Sequence, residues 1–295
     1  MLPFFEQPVF KLGPISIHAF GILISIAIYV ALAMAHSRFR RFGLNEAVGD
    51  RMGGWILVGT MLGAHWFSVL AYFPDQIAKD PWLLLRIWED ISSFGGMLGG
   101  MLAATVFLWS RFKGDEAPLR WLYLDIVVFV FPFAFAIGRA GCALAHDHPG
   151  TITNFPLTFS LKTDAARDYI VNVYSAAGLG RTLPGDSVLA TMGFHDLGWY
   201  EFLYLSLVVI PVMLVLDKRN RTPGFSILVF AALYLPVRFA FDCLRVSDIR
   251  YAGLTPGQWV AIIALFALPF LWRNMRSRPR YQPQISEPVG EGSIA

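Results

Sequence analysis

The sequence predicts an all-α polytopic membrane protein: seven transmembrane helices, the N-terminus outside and the C-terminus inside, with a small periplasmic cap. Three observations predict it. Apolar residues make up 56% of the 295 residues and charged residues only 15%, too few to solvate a water-facing surface of that size. Apolar runs near the ~20 residues that a bilayer crossing needs recur seven times along the chain. The basic residues between those runs gather on alternate sides.

The first run, 15–35, ends in Ala31, Ala33 and Ala35, a spacing like that of a signal-peptidase site. A signal peptide carries its positive charge before the apolar stretch, whereas Arg38, Arg40 and Arg41 follow it here, so a retained helix is expected. Runs two and three cover 53–73 and 93–112. The third opens with Phe94-Gly-Gly-Met-Leu-Gly-Gly100, glycines four apart, and two readings of it stay open. One is close helix packing. The other is a lipid-facing cleft in which Gly95 and Gly96 let backbone approach a head group.

Run four, 121–145, holds Asp125 near its start and Gly138-Arg139-Ala-Gly141-Cys142 near its end, and leads into His146-Asp147-His148. The only sizeable extramembrane piece follows, 146–198. It is rich in Thr, Gly, Pro and Asp, and residues 151–162 alternate like short strands, as expected of a periplasmic cap inserted in the membrane domain. Runs five to seven cover 199–216, 224–243 and 256–272. One membrane domain over 1–279 is expected, followed by a cytoplasmic tail, 280–295, whose Pro, Gly, Glu and Ser without apolar period predict disorder. No internal repeat is evident, which weakens a transporter reading.

The segments assigned to the cytoplasm hold fourteen basic residues: Arg38, Arg40, Arg41, Arg51, Arg111, Lys113, Arg120, Lys218, Arg219, Arg221, Arg273, Arg276, Arg278 and Arg280. The outer segments hold eight despite containing the longest loop. The net charge of +3 arises largely from that girdle, so it argues for orientation against anionic lipid and not for nucleic acid. Cys142 and Cys243 lie in apolar context with no spacing for a disulfide framework or a metal site.

Two basic residues remain, Arg139 and Arg238, both inside apolar runs. A guanidinium at that depth costs at least about 2.5 kcal/mol and cannot lose its proton, so it faces the protein interior and meets an anion. Steps of four, four and three place Tyr234, Arg238, Asp242 and Arg245 on one helical face. An internal Arg–Asp pair explains part of this face. Two arginines flank one aspartate, however, and an anionic ligand, most simply a phosphate, would complete the balance. Asp125 lies four turns, ~21 Å, from Arg139 and cannot pair with it. Arg139 therefore either finds its anion elsewhere or snorkels to the outer interface. His146 and His148 with Asp147 read as a polar membrane-edge loop in preference to a metal site, because no further ligand cluster accompanies them. No motif binds a nucleotide or a metal specifically, so no cofactor is expected.

Taken together, these pieces resemble the prolipoprotein diacylglyceryl transferases, seven-helix enzymes of the bacterial inner membrane. Gly13-Pro-Ile-Ser-Ile-His18-Ala-Phe20-Gly21 is similar to that family's opening G-P-x-x-(I/L)-H-x-Y-G, and Trp88 to Gly96 falls where it has an S-F-H-G-G run. Asp125 through Pro132 to Gly138-Arg139-x-Gly141 matches its D…P…G-R-x-G-N signature, and His195-Asp-Leu-Gly-Trp-Tyr200-Glu201 matches H-P-x-Q-x-Y-E. Tyr234-x-x-x-Arg238-x-x-x-Asp242-x-x-Arg245 matches Y-x-x-x-R-x-x-x-E-x-x-R, and Gly253-Leu-Thr-x-Gly257-Gln258 matches G-L-(S/T)-x-G-Q.

The resemblance implies transfer of diacylglyceryl from phosphatidylglycerol to the lipobox cysteine of a preprolipoprotein signal peptide, with release of glycerol phosphate. It implies Arg238, Asp147, Tyr234 and Asp242 as catalytic residues, and Arg139, Arg245, Cys142, His18, Glu201, Gly95 and Gly96 as contacts to substrate. The chemistry fits: a thiol of pKa ~8.5 must become a thiolate, and the departing phosphate must be stabilised as it takes charge. The chain departs from the family pattern at Phe94 for the histidine of H-G-G, Phe20 for a tyrosine, Cys142 for an asparagine, and His65 for an arginine of span two. Asp147 and Asp242 stand where the family has glutamates. Proton handling would then fall to Asp147, His65 or His146. A paralogue with another acceptor and a non-catalytic phospholipid-binding protein are the alternative readings.

Overall fold

The computed structural model describes residues 1–88, 91–217, 222–246 and 248–278. The expected disordered tail, 280–295, and four of the orientation-setting basic residues, Lys218, Arg219, Arg221 and Arg280, lie outside the described residues. Seven helical segments are long and apolar enough to cross a membrane: Ala19–Arg41, Glu46–Tyr72, Ser93–Arg111, Gly114–Ala145, Leu197–Asp217, Phe225–Asp242 and Pro256–Arg276. Each overlies one of the runs read from the sequence.

The chain divides into two units. The first comprises Met1–Ala31, Phe131–Leu216 and Val229–Phe270; the second comprises Leu32–Val130, Asp217–Leu228 and the end of the last helix from Leu271.

The first unit opens with an antiparallel hairpin, β1 (Val9–Leu12) and β2 (Ile15–His18), with Val9 opposite His18. Gly13 at φ 60° supplies the positive φ that the first central position of a two-residue type II′ turn requires, and Pro14 follows it. The sequence assigned Ile15 to His18 to the first span; hairpin pairing claims them, and helix α1 (Ala19–Arg41) starts afterwards. Helix α5 (Leu119–Ala145) carries Pro132 inside it and ends at His146, whose φ of 50° is the left-handed value that stops a helix. That conformation is held from several sides. His146 Nδ1 lies 2.7 Å from Asp196 Oδ2 and Nε2 lies 3.2 Å from the Phe5 carbonyl. The Tyr169 hydroxyl donates to the His146 carbonyl, and the ring stacks on Phe4.

Strands β3 (Pro149–Thr153), β4 (Phe159–Ser160) and β5 (Gly193–Asp196) form an antiparallel sheet in the order β3-β5-β4. The alternation at 151–162 corresponds to β3 and β4. Two helices that the sequence did not announce, α6 (Asp164–Ala176) and α7 (Asp186–Leu189), lie between β4 and β5. Thr163 caps α6, and the Ala166, Ile170 and Tyr174 face packs with Phe159, Leu161, Leu189 and Phe194 in one buried cluster. Asp196 closes β5 and caps α8 (Leu197–Tyr204), accepting from the Trp199 amide at 2.9 Å. A π turn over Leu205–Val209 joins α8 to α9 (Ile210–Asp217). Helices α10 (Phe225–Asp242) and α11 (Pro256–Arg276) complete the regular structure of the described residues.

The second unit is organised by α2 (Glu46–Tyr72) and α4 (Ser93–Arg111), joined through the short α3 (Pro74–Lys79). A Cβ on Gly63 would lie 2.5 Å from the Gly95 carbonyl and 2.7 Å from Gly99 Cα, so two backbones meet there directly. Gly95 faces Phe67 and Gly63, and Gly96 faces Thr60. Close packing therefore accounts for the glycine run. Phe39, Met52, Leu108, Phe112, Tyr123 and Ile126 form this unit's core. Asp125 caps the start of α10, accepting from the Ser226 and Ile227 amides at 2.7 and 3.3 Å. Arg38 forms a two-pronged bridge to Asp217 at 2.9 and 2.6 Å.

Candidate active site

The first unit buries a charge cluster assembled from three helices. Helix α5 supplies Arg139, α8 supplies Glu201, and α10 supplies Tyr234, Arg238 and Asp242. Spacing places the last three on one face of α10, as a helix repeat requires. Glu201, 1% exposed, stands between the two arginines. Arg238 Nη1 donates to Oε1 at 2.5 Å, the Tyr234 hydroxyl donates to Oε2 at 3.0 Å, and Arg139 Nε pairs with Oε2 at 2.6 Å. This last approach is an ion pair off the line that a hydrogen bond needs. Arg139 also lies over the Phe135 ring, 4.9 Å from its centroid. Its Nη2 has no hydrogen-bond partner among the described residues, and at 5% exposure the side chain does not snorkel to an interface.

Arg238 Nη2 pairs with Asp242 Oδ1 at 2.8 Å, and Asp242 Oδ2 accepts from the Thr255 hydroxyl at 2.8 Å. Thr255 belongs to a reciprocal cap of α11. The Gln258 amide donates to the Thr255 hydroxyl at 3.1 Å, and the Thr255 amide donates to Gln258 Oε1 at 3.0 Å. Gln258 Nε2 reaches back to the Phe239 carbonyl at 3.3 Å. The Thr-Pro-Gly-Gln run thus ties the start of α11 to the carboxylate that holds Arg238. Gly257 has no room for a side chain because its Cβ would strike Asp242 Oδ2.

One expectation is corrected. Sequence spacing left positive charge uncompensated around Asp242, but Arg245 pairs with Asp248 at 2.8 Å and Arg238 gains Glu201. Asp248 follows the end of α10, where a helix-face argument does not reach. The cluster of Arg139, Arg238, Glu201 and Asp242 holds two positive and two negative groups.

Cys142 is buried, with Arg139 Nη1 3.7 Å from its sulfur. Gly198 of α8 fits against this turn, since a Cβ there would lie 2.9 Å from the Ala143 amide nitrogen. Arg139 Nη1 also lies 3.3 Å from His148 Nε2, and His148 Nδ1 is hydrogen-bonded to Asp147. Burial pushes the His148 imidazole below the ordinary histidine range, with Asp147 pulling the other way and Arg139 reinforcing the fall. Asp147 is partly exposed and lines a cavity of about 580 Å³ with Gln7, Ser16, Ile17, His18, Phe20 and Gly21. His18 and Asp147 thus meet at one cavity wall.

Cys142, Asp147 and His148 bring ligand-type atoms within 4.8 Å of one another, but the Arg139 guanidinium faces both the sulfur and Nε2. A cation there would meet a fixed positive charge, so the donor set does not suit a metal. The histidines named for proton handling lie elsewhere: His65, in the second unit, has Nε2 2.9 Å from the Leu83 carbonyl, and His146 is enclosed by Phe4, Phe5, Phe159 and Phe194. Gly95 and Gly96 also belong to the second unit. Phe94 packs edge-on against Phe67, ring centroids 5.1 Å apart. Sequence reasoning missed His148, Asp248 and the roles of Thr255 and Gln258; of these, only the T-x-x-Q capping box had a readable local signal.

Seven membrane-length helices, with a buried guanidinium pair clamped by a carboxylate in the first unit, define a polytopic membrane protein. The profile of the prolipoprotein diacylglyceryl transferases matches residues 7–273. The chain belongs to that family and is a transferase. A phosphatidylglycerol–prolipoprotein diacylglyceryl transferase of Symbiobacterium thermophilum is 27% identical over 274 residues, covering 92% of this chain and 93% of that one. Enzymes of the same name from Chromohalobacter salexigens and Campylobacter jejuni are each 26% identical, each aligned over 88% of this chain and over 88% and 89% of their own lengths.

Proposed function

We propose that the protein transfers diacylglyceryl from phosphatidylglycerol to the thiol of a lipobox cysteine in a preprolipoprotein signal peptide, releasing glycerol phosphate. The observation that carries this reading is the pair Arg139 and Arg238, both buried and both held by Glu201. The thiolate attacks the glyceryl carbon bonded to the phosphate oxygen. A C–S bond forms, the C–O bond breaks, and the electron pair leaves on the phosphate. Guanidinium groups that already hold the phosphate before the bond breaks stabilise that charge as it develops, which is where most of a catalytic gain of this kind arises. Arg139 Nη2 supplies an unengaged donor. Tyr234 and Asp242 orient Arg238, Arg245 flanks the entry, and His18, Asp147 and Cys142 line the approach of the glycerol head group.

The protein is read as lying in the bacterial inner membrane with its N-terminus outside and C-terminus inside, residues 146–198 forming a periplasmic cap on a domain over 1–279. That orientation puts Asp147 and the cavity on the side from which a signal peptide's cysteine arrives. The Phe94–Phe67 contact, at the position of the family's histidine, favours a second reading in which the phospholipid site is kept but the acceptor differs.

Incubation with phosphatidylglycerol labelled in its head group and a lipobox peptide separates the two. Release of glycerol phosphate together with a thioether product, both lost in Arg139→Ala, supports the transfer. Phospholipid binding without thioether supports the altered acceptor.

A further inference from the structure

Transfer to a thiol needs a proton acceptor, and the cavity and the arginine cluster meet at one imidazole. His148 touches both sides of that junction. Its Nδ1 is hydrogen-bonded to Asp147, whose carboxylate lines the cavity, and its Nε2 lies 3.3 Å from Arg139 Nη1. An ionised aspartate accepts only, so Nδ1 carries the proton and Nε2 presents its lone pair. In the structure that lone pair accepts from Arg139. The sulfur of Cys142 shares the same guanidinium nitrogen, and no other histidine contacts Arg139 among the described residues.

Resting on the transferase reading, we propose that His148 is the general base of the transfer and that phosphate binding to Arg139 uncovers it. The arriving phosphate draws the guanidinium donor to itself and releases Nε2. The S–H bond of the acceptor then breaks, its proton passing to Nε2 and its electron pair staying on sulfur. Sulfur forms the C–S bond as the C–O bond breaks, glycerol phosphate leaves with the electron pair, and the imidazolium afterwards gives its proton to the released phosphate. Asp147 holds the tautomer and stabilises the imidazolium, the role of a carboxylate behind a catalytic histidine. The charged and titratable groups facing His148 are Asp147 beside it, Arg139 and Cys142 from α5, Glu201 from α8 and Arg245 after α10. Ordered use follows: a thiol arriving before phospholipid meets an occupied base.

The test compares a lipobox peptide with its selenocysteine counterpart, whose far more acidic selenol needs no base. With the thiol peptide, log kcat/KM of the wild-type protein is expected to fall at low pH with unit slope, and His148→Gln lowers kcat/KM by about 100-fold or more and removes that limb. With the selenol peptide the wild type lacks the limb, and His148→Gln stays within about threefold of it. Equal losses on both peptides, or a loss below about threefold on the thiol peptide, would overturn the assignment. So would an acid limb of equal position with both peptides in the wild type, a measurement that no folding defect can blur, or loss of the limb in His18→Gln and not in His148→Gln. Absence of any thioether or selenoether from the wild-type protein overturns the transferase reading itself, and the proposal with it.

Discussion

Arg238 donates to Glu201 at 2.5 Å although 37 residues separate them in the chain. Glu201 also carries Arg139, so one carboxylate bridges two buried guanidinium groups while Asp242 takes the other edge of Arg238. Glu201→Gln leaves both under-compensated while keeping the volume. A loss of about 3–5 kcal/mol in unfolding free energy is expected, the cost of breaking a buried ion pair from one side. Thermal melts of Glu201→Gln, Arg139→Gln and the double variant check it: the double variant should be less damaged than the sum of the two, because the residues share one network.

Thr255 contributes twice, as the cap of α11 and as a donor to Asp242. Thr255→Val removes both functions at nearly constant shape. We expect a stability loss of about 1–3 kcal/mol, a lost cap plus an orphaned buried acceptor, and a fall in turnover as Arg238 loses its brace. Thr255→Ser keeps the hydroxyl and should keep most of the turnover.

The α2–α4 interface gives a graded series. At Gly63 an added side chain meets backbone at 2.5 Å, whereas at Gly96 its nearest neighbour is the Thr60 Cγ2 methyl at 3.2 Å. Gly63→Val should cost about 3 kcal/mol or more in stability, and Gly96→Ala about 1 or less. A Gly96→Ala variant that melts like the wild type but turns over poorly would assign this glycine to the head-group site, beyond its packing role.

Two histidines outside the spans fix the sign of the pH dependence. Burial lowers His148 and His195 below the ordinary value of about 6.5, so an unfolded chain takes up protons on them first. Stability from this source is therefore whole above about pH 6.5 and lost as pH falls through that value toward the lower folded ones. A melting temperature followed from pH 7.5 to 5.5 should decline, and the decline should be shallower in His148→Gln and His195→Gln.

Asp125 acts on a helix that is not its own. Its carboxylate takes the Ser226 and Ile227 amides and the Ser226 hydroxyl at 3.1 Å, replacing the donors' missing partners at the first turn of α10. Asp125→Ala is expected to cost about 1–2 kcal/mol in chemical unfolding, and Asp125→Asn less.

The spans were legible because a bilayer imposes length and apolarity on every crossing, and each run found its helix. Local periodicity also placed Tyr234, Arg238 and Asp242 on one face correctly. Ile15 to His18 misled because Ile-Ser-Ile-His is too short for its alternation to stand out from the long apolar run that follows, and the Gly13-Pro14 turn is the other mark of the hairpin. Pairing across helices was beyond reach. Nothing near Arg139 in the chain announces Glu201, and nothing in the α10 repeat announces Asp248, since each partner is fixed by tertiary packing. His148 was passed over because it stood beside His146, and spacing alone cannot say which of two neighbouring rings turns toward a guanidinium.

The arginine cluster draws its members from α5, α8 and α10 and its brace from the start of α11, so it follows the order of synthesis. Arg139 enters the translocon before the glutamate that neutralises it has been translated. Its helix is a poor candidate for immediate release into lipid, and it gains a stable seat only when α8 arrives. The site is then completed from the C-terminal side, with Asp242 locked by a cap that exists only once the last helix has begun. A chain truncated before Thr255 would carry every charged residue of the cluster and still lack the hydroxyl that braces Asp242, so the start of the last helix is the final part the site needs.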